Sequence, residues 1–328
     1  MMKSLLNKPF MLAAIILAAG ACSRMAITEF PPIPDPAYAK GVSAPFCGYA
    51  GDVLVVAGGA NFPDKPLLEG GAKKVYNDIW AFSGGSWHHA GFLRDSIAYG
   101  ATFQVPGGLV LAGGDVDGKA TADVFFLRLE DGRAVLGTLP SLPEPMEQAG
   151  ASRDGGTLYL AGGVGTTAVY ACSTGDYIWH KVVSLPEPLV QPVAFASGGS
   201  LFVWGGFNPE TLEVSPRGTV FRDGVWADAP DIPDGGTFVG TTGVTLPDGR
   251  LAVVGGVNRD IFARALHNTP EDRIPYLSQE PAAYKFRSEV WAFDPSAPLW
   301  KLLGADPACA LAGPGVAVAP DGTLDRKS

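Results

Sequence analysis

The chain has 328 residues, 47% of them hydrophobic and only 17% charged, too apolar for a disordered chain and ample for a large core. Its 43 Gly and 28 Pro make about one residue in five a turn former, which disfavours long helices. The net charge is −9 and no Lys/Arg cluster is present, which argues against nucleic acid as a partner.

The chain opens with Lys3 and Lys8, an apolar run from Phe10 to Ala19, and then small residues. This pattern reads as a secretory signal over residues 1–22. The run is shorter than the roughly 20 residues that span a bilayer, and no later segment is apolar enough to do so, so no transmembrane segment is expected. Ala19-Gly20-Ala21-Cys22 resembles a lipoprotein cleavage box, although Ala19 stands where such boxes usually carry Leu. Two readings stay open: lipidation at Cys22, anchoring an exported protein to a membrane surface, or ordinary cleavage near Ala21. The expected location is the periplasm or the outer membrane of a bacterium. Cys47, Cys172 and Cys309 are widely spaced and odd in number, and read as buried small hydrophobes, not a disulfide framework.

From residue 23 onward one signature recurs. Leucine stands four positions before a glycine pair at Leu54/Gly58-Gly59, Leu109/Gly113-Gly114, Leu158/Gly162-Gly163, Leu201/Gly205-Gly206 and Leu251/Gly255-Gly256. The pairs are 55, 49, 43 and 50 residues apart, close to the kelch period. Each unit has an apolar run of strand length that ends at the pair, where glycine permits a backbone turn and close approach of a neighbour. Asn77-Asp78-Ile79-Trp80-Ala81-Phe82 and Ser288-Glu289-Val290-Trp291-Ala292-Phe293 match almost residue for residue. Trp87, Trp179, Trp226 and Trp300 fall at the expected outer strands. Four strands per repeat predict an all-β, kelch-type β-propeller over residues 23–328, its tryptophans packing blade against blade.

A sixth unit begins at Ala312 and turns at Pro320-Asp321-Gly322, and Leu324 takes the leucine position, but no glycine pair follows. Phe30-Pro31-Pro32-Ile33-Pro34 resembles the segment after an outer strand, as in Leu139-Pro140-Ser141-Leu142-Pro143. The expectation is five full blades and an incomplete sixth, shared between the two chain ends and lacking its two middle strands.

His88, His89, His180 and His267 show no metal-ligand spacing. No Gly-x-Ser-x-Gly elbow or phosphate-binding loop is present, and neither a metal nor a cofactor is expected. The polar residues after the glycine pairs are the candidate ligand contacts, because propellers bind ligands at the ends of their inner strands. One set is Asn61 and Asp64 with the loop to Lys73 and Lys74; the other is Asn258, Arg259, Asp260 and Phe262 with an insertion through Tyr284. Asn61 and Asn258 read equally well as turn caps, and Arg259 as a solvated loop charge. Arg94, Tyr99 and Gln191 are weaker candidates, just ahead of inner strands.

Lys40-Gly41-Val42-Ser43-Ala44-Pro45-Phe46, Ala57-Gly58-Gly59-Ala60-Asn61-Phe62-Pro63-Asp64, Ser96-Ile97-Ala98-Tyr99-Gly100 and Gly255-Gly256-Val257-Asn258-Arg259-Asp260-Ile261-Phe262 resemble the cyclically permuted, kelch-type sialic acid (N-acetylneuraminate) mutarotases, or epimerases. The resemblance runs from about residue 28 and implies a six-bladed, exported enzyme that interconverts sialic acid anomers without a cofactor. A small sugar is the implied partner, with Asn61, Asp64, Asn258, Arg259 and Phe262 as binding residues and Arg259 as the carboxylate's guanidinium fork. The family's acid/base pair lies in a Gly-Glu-x-x-Pro-Gly-x-Arg segment that nothing after Leu324 matches, so no catalytic residue carries over and impaired activity is expected. The competing reading is a non-catalytic propeller that binds a carbohydrate or protein.

Overall fold

In the computed structural model, residues 12–16, 26–65 and 67–327 are described. The apolar runs ending at glycine pairs are too short for helices and too apolar for edge strands, and each becomes the second strand of an antiparallel four-stranded sheet. Five sheets come from consecutive stretches of chain. The first holds Phe46–Ala50, Val53–Ala57, Asp78–Ser83 and Ser86–Phe92, and the second Ala101–Val105, Gly108–Ala112, Val124–Glu130 and Arg133–Leu139. The third comprises Gly150–Asp154, Thr157–Ala161, Ala168–Ser173 and His180–Ser184, the fourth Val193–Ser197, Ser200–Trp204, Gly218–Arg222 and Val225–Ala229. The fifth has Gly243–Thr245, Leu251–Val254, Glu289–Asp294 and Leu299–Ala305. The all-β expectation holds, and the only α-helices among the described residues are α1, Arg259–Leu266, and α2, Pro270–Leu277, in the insertion of blade five.

The sixth sheet corrects the expectation of two missing middle strands. Its order from the channel outward is Gly315–Val318, Leu324–Lys327, Leu12–Ile16, Ala26–Phe30, all antiparallel. Leu12–Ile16 pairs with Ala26–Phe30 from Leu12 opposite Phe30 to Ile16 opposite Ala26, and its Ala13–Ile15 stretch pairs with Leu324–Arg326. The apolar run read as an export segment therefore supplies a blade strand, since an uncharged run of this length suits a strand flanked on both sides as well as it suits a signal. Cys22 and the cleavage box lie outside the described residues.

Packing follows from the strands' apolarity on both faces. A twisted sheet with two apolar faces needs a neighbour on each. The buried core is accordingly divided into inter-blade seams. Leu109, Leu111 and Leu127 of blade two pack on Phe46, Val55 and Ile79 of blade one; Phe195, Phe202 and Trp204 of blade four pack on Leu251, Val253 and Phe293 of blade five. Val316 and Leu324 join Leu246, Val254 and Val290 on one side of the sixth blade, and Ala317 joins Cys47, Leu54 and Trp80 on the other. The tryptophans pack as expected: Trp87 is buried and its indole N–H donates to the Pro31 carbonyl at 2.7 Å, as Trp226 does to Ser184 at 2.9 Å. The three cysteines of the blades are buried, and burial pushes the Cys172 thiol up to about 12.

All ten residues of the five glycine pairs have positive φ. The first pair shows why. Gly58 has φ +65°, and a Cβ there would stand 2.4 Å from the Ile97 carbonyl oxygen, while the Gly59 N–H donates to that same oxygen at 2.8 Å. Gly114, Gly163 and Gly256 make the same bond to Met146, Leu189 and Leu311. Four of the five pairs thus weld their blade to the segment that enters the next.

Gly58→Ala is expected to lower stability by about 1–3 kcal/mol, through both the left-handed backbone and the clash; an unchanged urea midpoint would show that the seam yields. A chain starting at residue 22 loses the Leu12–Ile16 strand and bares two strand edges. Thermal melting and size-exclusion chromatography should show a lower Tm and more aggregation than for residues 1–328, whereas identical behaviour would mean that strand contributes no stability.

Candidate functional site

Two residues ahead of each inner strand except the fifth, where the interval is three, the chain passes through a left-handed residue: Ala44, Tyr99, Gln148, Gln191, Gly240 and Gly313, with φ between +52° and +74°. Their backbones link around the channel. Ala44 N–H donates to Gly313 O at 2.7 Å, Tyr99 to Ala44 at 3.0 Å, Gln148 to Tyr99 at 2.9 Å, Gln191 to Gln148 at 2.9 Å, and Gly313 to Gly240 at 2.6 Å. The remaining link is made by a side chain, as Gly240 N–H donates to Gln191 Oε1 at 2.8 Å. Gln191 Nε2 in turn donates to Gln148 Oε1 at 2.6 Å. Four non-glycine residues in the left-handed region store strain, and the closed hydrogen-bonded circle holds them there.

This circle frames a cavity of about 300 Å³ at the channel mouth, lined by Ser43, Tyr99, Gln148, Gln191, Thr241 and Phe262 among others. A second cavity, of about 430 Å³, opens at the opposite end, where the connections are tight turns. There the Arg153 guanidinium is committed to the carbonyls of Gly155 and Gln104, and the Gln104 amide to Val318. The first mouth carries the long loops, which makes it the candidate site. Blade-one and blade-five loops meet across the sixth blade, where Leu68 N–H donates to Ser278 Oγ at 2.8 Å, although 210 residues separate them.

Of the five expected binding residues, Phe262 is the one in the lining of this cavity, edge-on to Phe207 at 5.6 Å. Asn61 is used internally: its amide donates to Ala37 O and Gly41 O and accepts from the Tyr76 hydroxyl. Asn258 caps α1, accepting from Ile261 N–H at 3.1 Å. Arg259 donates from Nε to Val214 O and from Nη1 to Gly235 O, tying α1 to the loops of blades four and five instead of standing free in solvent. Asp64 is exposed, away from the cavity, and its carbonyl accepts from Lys40 Nζ. Short polar side chains right after a glycine pair sit against the adjoining connections, so they are taken up by turns and caps. Of the weaker candidates, Tyr99 and Gln191 line the mouth, and Arg94 is paired with Asp95 and Asp123.

Lys73 Nζ lies 2.9 Å from the Tyr99 hydroxyl and 4.5 Å from the ring centroid. Glu147, next to Gln148, has its carboxyl raised above the ordinary range, mainly by burial and further by Asp115, against the opposing effects of Gln148 and Lys73. Sequence reasoning missed Glu147 and Gln148. The six circle positions share a place ahead of an inner strand but no residue type, and only an alignment of blade entries would have exposed them. No group of three or more metal-ligating side chains occurs among the described residues, nor does any helix long and apolar enough to cross a membrane.

Six sheets around a channel, with their long loops at one mouth, define a β-propeller with a ligand-sized opening. The N-acetylneuraminate epimerase family model matches residues 21–136 and 139–324, and the chain belongs to that family. It is 40% identical over 126 residues to the N-acetylneuraminate epimerase of Brucella suis, covering 35% of this chain and 32% of that one. To the Vibrio vulnificus N-acetylneuraminate epimerase it is 33% identical over 102 residues, 28% of this chain and 27% of the relative. These matches span about a third of the length of the curated relatives. Among solved structures it resembles one titled "Structure of YjhT", with a TM-score of 0.61 and 14% identity over 73% of this chain and 82% of that one, a likeness of fold.

Because the folded-state pKa of Glu147 is raised, ionising it costs stability as pH climbs from the ordinary carboxyl range through the raised value. Glu147→Gln should therefore be more stable relative to the parent at pH 8 than at pH 4, as read by urea unfolding; a pH-independent difference would mean burial does not strain this carboxylate.

Proposed function

We propose that the framed mouth binds N-acetylneuraminate and interconverts its α and β anomers. The observation that carries this reading is the family match along nearly the whole chain, together with a polar, ligand-sized cavity at the mouth where the long loops gather. Opening the sugar ring needs one group to take the anomeric hydroxyl proton and another to protonate the ring oxygen, then the reverse after bond rotation. Glu147, next to Gln148 of the cavity lining and with its carboxyl raised above the ordinary range by burial, is the acid proposed here, and Phe262 offers an apolar wall for the sugar's ring or acetamido methyl. Asn61, Asn258 and Arg259 shape the loops around the mouth, and Asp64 stands at the rim of the blade-one loop. The repeat period supports the kelch-type subclass, and the lysines, apolar run and Cys22 at the chain start support export to the periplasm, with or without a lipid anchor.

The second reading, a sugar-binding propeller without catalysis, is favoured by one observation: Asn61, Asn258 and Arg259 are engaged by the backbone of the fold. NMR exchange spectroscopy on α-anomer freshly released by a sialidase decides between them. The expected result is a measurable acceleration that drops in Glu147→Gln. Binding with no acceleration would establish the second reading, and absence of binding would overturn both.

A further inference from the structure

We infer that Lys73 and the Tyr99 hydroxyl form the anion-recognition point of the mouth, taking the carboxylate of an acidic sugar; this rests on the proposed sugar-binding reading of the same cavity. Several cations around this end of the channel are engaged by the fold. Arg94 is paired with Asp95 and Asp123, Arg217 with Glu187 and Glu213, and Arg287 with Asp234. Arg259 is bound to two carbonyls and Lys40 Nζ to the carbonyls of Phe62 and Asp64. The first three are ion-paired, and Arg259 and Lys40 spend part of their donors on backbone carbonyls.

Lys73, like Lys74 beside it, is exposed and forms no ion pair among the described residues; what sets Lys73 apart from Lys74, which lies over the Tyr76 ring, is that its hydrogen-bond partner is the phenol of Tyr99, a residue of the cavity lining. The loop that bears it is tethered, because Lys74–Val75 pairs with Ala60–Asn61. Tyr99 is equally fixed, since it is a member of the backbone circle and its N–H and carbonyl are both used there. An ammonium with donors to spare and a phenol O–H, held 2.9 Å apart by two anchored backbones, match the two oxygens of one carboxylate. The acidic groups that act on this corner are Asp115 and Glu147, the latter with its carboxyl raised above the ordinary range by burial.

The test compares sialic acid with its neutral methyl ester by calorimetry on the 328-residue chain, so that only the ligand's charge changes. The parent is expected to bind the acid at least about tenfold more tightly, the equivalent of one charge-assisted hydrogen bond. Lys73→Met should bring the two affinities within about twofold, Lys73→Arg should keep most of the preference, and Tyr99→Phe should lower affinity for the acid more than for the ester. A preference unchanged in Lys73→Met, or no preference in the parent, overturns this assignment while leaving sugar binding intact. Binding of neither ligand by the parent overturns the sugar-binding reading and this assignment together.

Discussion

The structure depends on each blade having a neighbour on both faces. In the five blades built from consecutive chain the second strand is apolar on both sides, with Leu54, Leu109, Leu158, Leu201 and Leu251 almost wholly buried. A lone sheet of this composition would expose two oily faces, and at about 25 cal/mol per Å² the burial of each seam is the main term favouring the closed arrangement. Closure is geometrically exacting, because a row of twisted sheets must return to its start. The glycine pairs meet that requirement by allowing the backbone of one blade to touch the entry segment of the next, at a distance no Cβ would tolerate.

The same closure makes the mouth. Six entry residues driven into the left-handed region point their N–H and C=O groups around the channel and satisfy one another, so the circle is both a structural clasp and the frame of the cavity. Where the circle cannot be completed by a carbonyl, the Gln191 side chain substitutes, and Gln148 is locked to it. Residues held by so many bonds are good scaffolding for a ligand site, since little order remains to be imposed on binding. Lys73 and Glu147 then stand near a rigid rim, one a cation in no ion pair among the described residues, the other a carboxyl lifted by burial.

Blade six concentrates the tension between export and folding. Its third strand comes from the apolar run that also has the features of a secretion signal, and its second strand lacks the glycine pair that locks the other blades. Blades one and five nevertheless meet above it, through Leu68 and Ser278, and the seams on its two faces bury Val316, Ala317 and Leu324. The inner strands of the ring are therefore continuous irrespective of how the outer half of that blade is built.

Periodicity in the chain was enough to determine the blades, because a leucine four residues ahead of a glycine pair is a local requirement: one buried strand followed by one tight contact. The buried tryptophans and cysteines were legible for the same reason, as was the family through segments such as Gly255-Gly256-Val257-Asn258-Arg259. The site was not legible in the same way. Asn61 and Arg259 are chemically suited to a sugar, yet backbone carbonyls more than 19 residues away in sequence occupy their donors. Conversely, Glu147 and Gln148 lie in an unremarkable connection and acquire their roles from burial and from the circle. The strand role of Leu12–Ile16 was equally hidden, since an apolar run reports only that it avoids water, and whether it does so in a translocation apparatus or between two strands is decided by what the rest of the fold leaves beside it.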